Sequence, residues 1–555
     1  MKGLYVMRLY YFFIYVLLFD MSLAWSIFSW SAPRTRVQKA KCLVKGLKKG
    51  KSRFHPDISV VSVGGEECGI QLCRRRKRPS FVSRKNAENI NSNTNDDNND
   101  DIIFVDREEF LTPQLGLTTP VGQALQTYIS CPENVDQGTH PVKLPSMQLA
   151  IYLTLYKRGL LPTINDNTST AHYLNTLPLM DDISHFPLFW DNTMLKELQQ
   201  SNVKRAIMTR RVEWHQEFQL VKKAMVFASL PECFQSLELK EWFWARSIIT
   251  SRAFTDTGNN GQSCLCPYVD MMNHVTRSHS QKSNNNIVRC SWTIDSEGFH
   301  LRLPKNVNDD STTKLEISYG SQSNGHFLIN YGFSITDDSD QIVEDLVTLP
   351  IMLPNEVHEN DAEALWEADG MGDSHLISRN VTIGIGDAGP MESVLSLCRV
   401  ASTRDEELPG MKTQFLKRAK ETIHSDDGLV PQLGATLCRH PFSASNEKRA
   451  LEMLHEATQI ELEKYETTLE EDNDILRARR EGILNKNSKD RYVDDNSQLW
   501  SAIAVRRGEK QILHHYNTLA SIGLEILKQS NDDFDTYKGM LEASLEDPKP
   551  FLGVV

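Results

Sequence analysis

Glu316–Phe333 reads EISYGSQSNGHFLINYGF, and Cys266–His274, ahead of it in the chain, reads CPYVDMMNH. The first segment opens as a short strand and breaks at Tyr319-Gly320, a glycine at a strand end that marks a turn. The second ends on an Asn-His pair behind an acid, Asp270. Taken singly, an Asn-His pair reads as a polar turn and a Tyr-Gly pair as a core aromatic beside a turn glycine. A third segment, FWARSIITSRAF at Phe243–Phe254, precedes both and carries Arg252. Their order and spacing, rather than any one of them, carry the signal.

Around these segments the chain changes texture. Residues 264–333 alternate short strand-like runs (NIVRCSWTI, GFHLRL, KLEISYG) with turns, so a β-rich core is expected. Upstream, DISVVSVGGEECGIQL at Asp57–Leu72 reads as strand–turn–strand about a glycine pair, and IIFV at Ile102–Val105 resumes the β pattern. Ser146–Arg158 has the period and length of a buried helix. Residues 185–250 are helix-like and anchored by Phe186, Phe189, Trp190, Trp214, Trp242 and Trp244. From about Glu344 long amphipathic stretches dominate. In Glu447–Tyr465 the residues Ala450, Met453, Leu454, Ala457 and Ile460 step at helical spacing and line one face. Thr467-x-x-Glu470 and Thr468-x-x-Glu471 both fit the capping box that starts a helix. Residues 344–545 are therefore expected to form a separate helical domain.

The 555 residues are too many for one ordinary core. The net charge of −12 argues against a general nucleic-acid binder, which needs a basic face. It leaves room for a basic protein as partner. Ten cysteines scattered over this length do not form a disulfide framework. Cys264-Leu-Cys266 lacks a second ligand pair at zinc spacing, so no metal is expected. At the N-terminus, Leu9–Leu18 (LYYFFIYVLL) follows Lys2 and Arg8, and Ser22 and Ala24 supply small residues for cleavage. That run is short for a bilayer span and suits a signal h-region. The basic stretch Arg34–Arg53 after it resembles the second half of a bipartite plastid presequence. Residues 1–55 are thus read as a targeting presequence, with a secretory signal or a short membrane anchor as the alternatives. Ser83–Asp101 is so rich in Asn and Asp that a disordered insertion, near 79–101, is expected.

In their order and spacing the three segments resemble the SET-domain family, in the branch of the Rubisco large-subunit lysine methyltransferase. That branch shows Ser-Arg-x-Phe at a helix end, then Asp-x-x-Asn-His, Tyr-Gly, Ser-Asn and Tyr-Gly-Phe. Here these are Ser251–Phe254, Asp270–His274, Tyr319-Gly320, Ser323-Asn324 and Tyr331–Phe333. LTPQLGLTTPVGQAL (Leu111–Leu125), HYLNTLP (His172–Pro178) and FPLFW (Phe186–Trp190) resemble the family's N-terminal part. NEKRALEMLHEATQIELEKYETTLEED and AIAVRRGEKQIL resemble its C-terminal substrate-binding domain. The resemblance implies an α+β fold, with a knotted β-rich SET core over 56–343. A helical insert near 140–250 and an all-α domain at 344–545 complete it, with a tail at 546–555.

The resemblance also implies a protein-lysine N-methyltransferase that uses S-adenosylmethionine on a protein held by the helical domain. Histidine methylation, known in the same branch, and an inactive SET-fold binding module are the alternatives. Tyr319 would be the catalytic tyrosine. Glu66, Glu67, Cys68, Arg252, Asn273, His274 and Ser323 would line the cofactor. Arg252, Asp256, Asp270, Tyr319 and Tyr331 would face the substrate. The chemistry suits such residues. In-line methyl transfer needs chiefly alignment. Burial lowers a lysine's pKa and exposes its lone pair, and tyrosine faces suit a methylated cation. A protein partner, no nucleic acid, no membrane span in the mature chain and a monomer are expected.

Three positions depart from the family. Its Glu-Gly-x-Gly-Leu cofactor loop is best matched by Glu66–Ile70, where Glu67 replaces a glycine that lets backbone approach the ligand. The register Gly64-Gly65-Glu66 recovers glycines and loses the following hydrophobe. A tyrosine expected a dozen residues past Asn273-His274 gives way to Asn284–Asn286, and Gly325-His326 stands where Ala-Glu is usual.

Overall fold

In the computed structural model the described residues are 35–64, 67–72, 101–131, 133, 144–161, 168–256, 261–275, 287–304, 313–336, 344–352, 378–385, 391–404, 406–407, 410, 441–481, 497–529 and 534–539. Residues 1–34 of the expected presequence, most of the expected insertion, Asn284–Asn286 and the expected tail lie outside them.

The first described element corrects the N-terminal expectation. Residues Arg36–Leu47 form helix α1, begun by a capping box of Thr35 and Gln38. Ala40, Leu43 and Leu47 are fully buried in the main core, while Lys41 and Lys45 face solvent. The lysines that make this stretch look like a transit peptide are the polar face of an amphipathic helix. The folded unit therefore begins before residue 56.

The β core contains β1 (Arg53–Phe54), β2 (Ile58–Gly64), β3 (Glu67–Leu72) and β4 (Asp101–Asp106). Helices α2 (Leu144–Lys157), α3 (Ser169–Leu174), α4 (Asn202–Phe227) and α5 (Leu239–Arg252) form the expected insert. After them come β5 (Ala253–Asp256), β6 (Gln262–Leu265), β7 (Asn273–His274), β8 (Ile287–Ile294), β9 (Gly298–Arg302) and β10 (Thr313–Ile317). The main sheet runs β1-β4-β9-β8-β10-β3-β2, with β7 also paired to β10. Phe299 is fully buried in this core, with Trp292 stacked on it and Phe254 meeting both rings edge-on. Burying such a side chain stabilises the fold by about 1.5–3 kcal/mol.

Strand β10 fixes the site. Leu315 pairs with Ile70 on one side and Val288 on the other, and Ile317 pairs in parallel with His274. The chain leaving β10 at Ser318–Gly320 therefore emerges beside Asn273-His274. A helix not foreseen in this β-rich stretch, α6 (Asn324–Tyr331), follows at once. Gly332 ends it at φ +79°, a left-handed cap that glycine adopts without a Cβ penalty.

The C-terminal region holds α7 (Met391–Ala401), α8 (Ala444–Glu463), α9 (Leu469–Arg480) and α10 (Ser497–Gln529). It is helical as expected but not purely so. Strands β11 (Leu346–Met352) and β12 (Ser378–Gly384) pair antiparallel and bury Val347, Leu349, Ile351 and Ile383 against α8 and α10. On α8, Ala450 and Leu454 are fully buried as the stripe requires, whereas Ile460 is exposed. Thr468 and Glu471 form the capping box of α9. Thr467 instead turns inward to Asp472 and Lys510. No described helix is long and apolar enough to cross a membrane.

Candidate active site

Arg252 is the last residue of α5, delivered into the core by a helix whose buried face carries Trp242, Ala245, Ile248 and Ile249. Its Nη1 donates to the Asp270 carbonyl at 3.0 Å and to Asp270 Oδ2 at 3.2 Å. The fully buried Tyr173 of α3 donates its hydroxyl to the same Oδ2 at 3.0 Å. Burial pushes the Asp270 carboxyl up, and Arg252 and Tyr173 pull against that rise. Burial likewise opposes the Arg252 charge, but Asp270 and the neighbouring tyrosines outweigh it and the guanidinium is held charged. Tyr173 was not foreseen. It sits in HYLNTLP, and only the fold brings α3 to the Asp270 turn.

That turn is strained. Tyr268 holds φ +77°, ψ −49°, a conformation that side chains rarely adopt. Its ring is buried and meets Phe54 edge-on at 5.1 Å, which pins the backbone. The short helical turn Val269–Met271 follows and aims Asp270 inward.

On the other wall, the Tyr319 N–H donates to His274 Nδ1 at 3.1 Å, and the Tyr319 hydroxyl donates to the Met272 carbonyl at 2.6 Å. An acceptor Nδ1 makes His274 a neutral imidazole with its proton on Nε2. Burial, aided by Arg289, pushes its pKa down to about 4. Burial drives the Tyr319 phenol up, against the nearby Arg252 charge. Tyr319 and Tyr331 stack with centroids 4.7 Å apart and planes 26° from parallel. Phe327 and Phe333 close the aromatic group around His274. The Arg252–Asp270 pair lies near Tyr319, which stacks on Tyr331 and bonds to His274, and Asn273 precedes His274 in β7.

Asp256 is buried at the end of β5 in an ion pair with Arg107. Ser323 caps α6, its Oγ accepting from the His326 N–H at 3.1 Å. Glu66 lies outside the described residues. For Glu67 and Cys68 only the backbone, in β3, is described. The Cys264 and Cys266 thiols lie 3.7 Å apart.

One atom points to a ligand. Asp270 Oδ1 is buried and has no hydrogen-bond partner. A buried carboxylate oxygen left so costs about 1–3 kcal/mol or more. It lies on the same carboxylate that Arg252 charges. A buried cation beside an acceptor without a partner fits the carboxylate and ammonium ends of an amino-acid moiety, such as the methionyl part of S-adenosylmethionine.

Comparison with known proteins bears on the fold. Two solved structures superpose over 88% of the chain: the SET domain of LSMT bound to lysine and AdoHcy (TM-score 0.58, 17% identical, 92% of that chain) and Rubisco LSMT bound to AdoMet (TM-score 0.57, 17% identical, 93% of that chain). The family model described as Rubisco LSMT substrate-binding matches residues 360–513. The chain has the LSMT-like SET fold, with a C-terminal substrate-binding-type domain. The ribulose-1,5 bisphosphate carboxylase/oxygenase large subunit N-methyltransferase, chloroplastic, of Nicotiana tabacum is 25% identical over 354 residues, 63% of this chain and 62% of that protein. The actin-histidine N-methyltransferase of Canis lupus familiaris is 24% identical over 370 residues, 65% and 55% respectively. The match thus spans less than two thirds of either relative's length.

Proposed function

We propose that this LSMT-like chain is an S-adenosylmethionine-dependent protein-lysine N-methyltransferase whose protein substrate is held by the C-terminal helical region. The observation that carries the reading is the buried Arg252–Asp270 pair, with Asp270 Oδ1 lacking a partner, beside the stacked Tyr319 and Tyr331. Arg252 would hold the cofactor carboxylate and Asp270 its ammonium. Asn273 and the His274 backbone would bound the rest, with Glu66–Cys68 as the facing wall.

When bound, the cofactor supplies a methyl group on a sulfonium sulfur. The chain supplies alignment and a dry cleft. His274 fixes the Tyr319 backbone. Because the Tyr319 hydroxyl donates its hydrogen bond to the Met272 carbonyl, the phenol oxygen keeps its lone pairs for an amine N–H or a polarised methyl. Burial keeps Tyr319 and His274 neutral, so neither competes for the proton of the incoming amine. The same dry surroundings favour a neutral lysine. The stacked tyrosines present π-faces to the methylated product.

Labelled-methyl transfer to proteins of a plastid-stroma extract tests this. Tyr319→Phe should lower the rate about a hundredfold or more and leave cofactor binding intact. Undiminished transfer in that variant would refute the role of Tyr319. The actin-histidine relatives motivate a second reading, histidine as acceptor. Amino-acid analysis of the labelled product separates methyllysine from methylhistidine. The chloroplastic tobacco relative supports a plastid location. A fluorescent fusion of residues 1–34, the segment ahead of the core helix α1, should then reach plastids, and its retention in the secretory pathway would refute that.

A further inference from the structure

Arg252 and Asp270 do not meet as an arginine and a carboxylate often do. The frequent arrangement is a fork, in which two guanidinium N–H groups take one carboxylate oxygen each. Here a single nitrogen makes the contact. Arg252 Nη1 donates to Asp270 Oδ2 at 3.2 Å and to the Asp270 carbonyl at 3.0 Å. The Tyr173 hydroxyl donates to that same Oδ2 at 3.0 Å. Two donors from two helices thus converge on one oxygen, while the buried Oδ1 accepts from none. Were Arg252 the only donor, a fork would take up both oxygens and close the pair on itself. A second donor fixed on Oδ2 holds the carboxylate plane and keeps Oδ1 out of the fork.

Tyr173 has the surroundings such a donor needs. It is fully buried, and burial together with Asp270 drives its phenol well up, so the hydroxyl keeps its proton and donates. Its backbone is fixed from behind, away from the cleft. The Thr168 hydroxyl caps α3 by accepting from the Ala171 N–H at 3.2 Å. The Thr176 hydroxyl donates to the Tyr173 carbonyl at 2.6 Å, and Arg36 Nε of α1 donates to the Thr176 carbonyl at 3.3 Å. Ser169 of α3 donates to Glu109. A Cβ on Gly46 of α1 would stand 3.2 Å from the His172 ring, so α1 and α3 pack closely. Burial pushes the Asp270 carboxyl up, and the Arg36 charge adds to those of its partners in pulling it down. Helix α1, which lies ahead of the expected core, therefore backs the site through α3.

We infer that Tyr173 is a positioning residue of this site: by holding Asp270 Oδ2 it reserves Oδ1 for the ammonium group of a bound amino-acid moiety. It acts through Asp270 rather than on the ligand. The inference rests on the reading of the cleft as the S-adenosylmethionine site, and adds to it the side chain that keeps half of the Asp270 carboxylate open.

The test compares two ligands by calorimetry on the full chain: S-adenosylmethionine and its desamino analogue, which lacks only the ammonium group. The wild type should prefer S-adenosylmethionine by about 10- to 100-fold. Tyr173→Phe removes one oxygen atom and should weaken S-adenosylmethionine about tenfold while leaving the analogue unchanged. On an Asp270→Asn background the same substitution should have no further effect on either ligand. A tyrosine that merely fills the core would weaken both ligands alike, on either background, and that result overturns the positioning role. So does a Tyr173→Phe protein that keeps the full wild-type preference. If the wild type itself does not discriminate, the pairing of Asp270 with the ammonium fails, and the inference fails with it. A crystal structure of the wild-type complex with S-adenosylmethionine decides the matter without any variant. The ammonium should lie on Asp270 Oδ1 with Tyr173 on Oδ2, and an Arg252 fork across both oxygens would overturn the inference.

Discussion

Two buried ion-pair clusters, one around Asp472 and one around Asp270, are built differently. At the domain junction, Asp472 is saturated: Oδ1 takes Arg506 Nε and Nη2 and the Thr467 hydroxyl, and Oδ2 takes Lys510. Arg506 also reaches the carbonyl and carboxylate of Glu197. In the cleft, Asp270 takes Arg252 and Tyr173 on Oδ2 and nothing on Oδ1. Both carboxylates are out of water. A saturated cluster is a joint, because every group already has what it lost to desolvation. An unsaturated one stores a cost that a ligand relieves.

This contrast breaks most visibly at Arg506. Arg506→Met leaves Asp472 Oδ1 with Thr467 alone and removes the guanidinium from Glu197, and should destabilise the protein by about 3–5 kcal/mol in denaturant unfolding. Its folded fraction should keep wild-type affinity for S-adenosylmethionine, and a lost affinity would mean that the two clusters are one. Asp270→Asn works the other way. It keeps the volume and removes the charge, so calorimetry should show S-adenosylmethionine binding weakened about 10- to 100-fold, and the buried Arg252, losing its carboxylate partner, should also lower the melting temperature. Unchanged affinity would remove Asp270 from the cofactor site.

Acidity separates the same regions. His274 has its folded pKa depressed to about 4, so its contribution is present above the ordinary histidine value and is lost as pH falls through about 4. Glu509 has its folded pKa raised to about 8, so its contribution is present below the ordinary carboxylate value and is lost as pH rises through about 8. Melting curves should therefore show His274→Gln flattening the acid limb and Glu509→Gln flattening the alkaline limb, each by a few degrees. Either variant flattening the opposite limb would contradict the assignment.

Ser323→Ala carries the smallest effect. Losing the cap of α6 should cost about 1 kcal/mol in thermal unfolding and leave cofactor affinity unchanged. A tenfold loss of affinity would restore Ser323 to the cofactor site, where the sequence resemblance places it.

Much of the cleft was legible because SET-like segments keep Arg252, Asp270, Asn273-His274, Tyr319 and Tyr331 in a recognisable order. Tyr173 was not, because its partner lies 97 residues away and no local pattern links them. The role of the His274 side chain was missed for a related reason: the parallel pairing of β7 with β10 is what brings its ring under the Tyr319 N–H. Helix α1 was misread because an amphipathic lysine-rich helix and a basic transit segment share one composition. Strands β11 and β12 were hidden by the long amphipathic helices around them.

The central claim is that the Arg252–Asp270 cleft holds S-adenosylmethionine. Calorimetric titration of the purified full chain with S-adenosylmethionine tests it directly. The account predicts saturable binding at one site per chain. The absence of saturable heat at high protein concentration would contradict it.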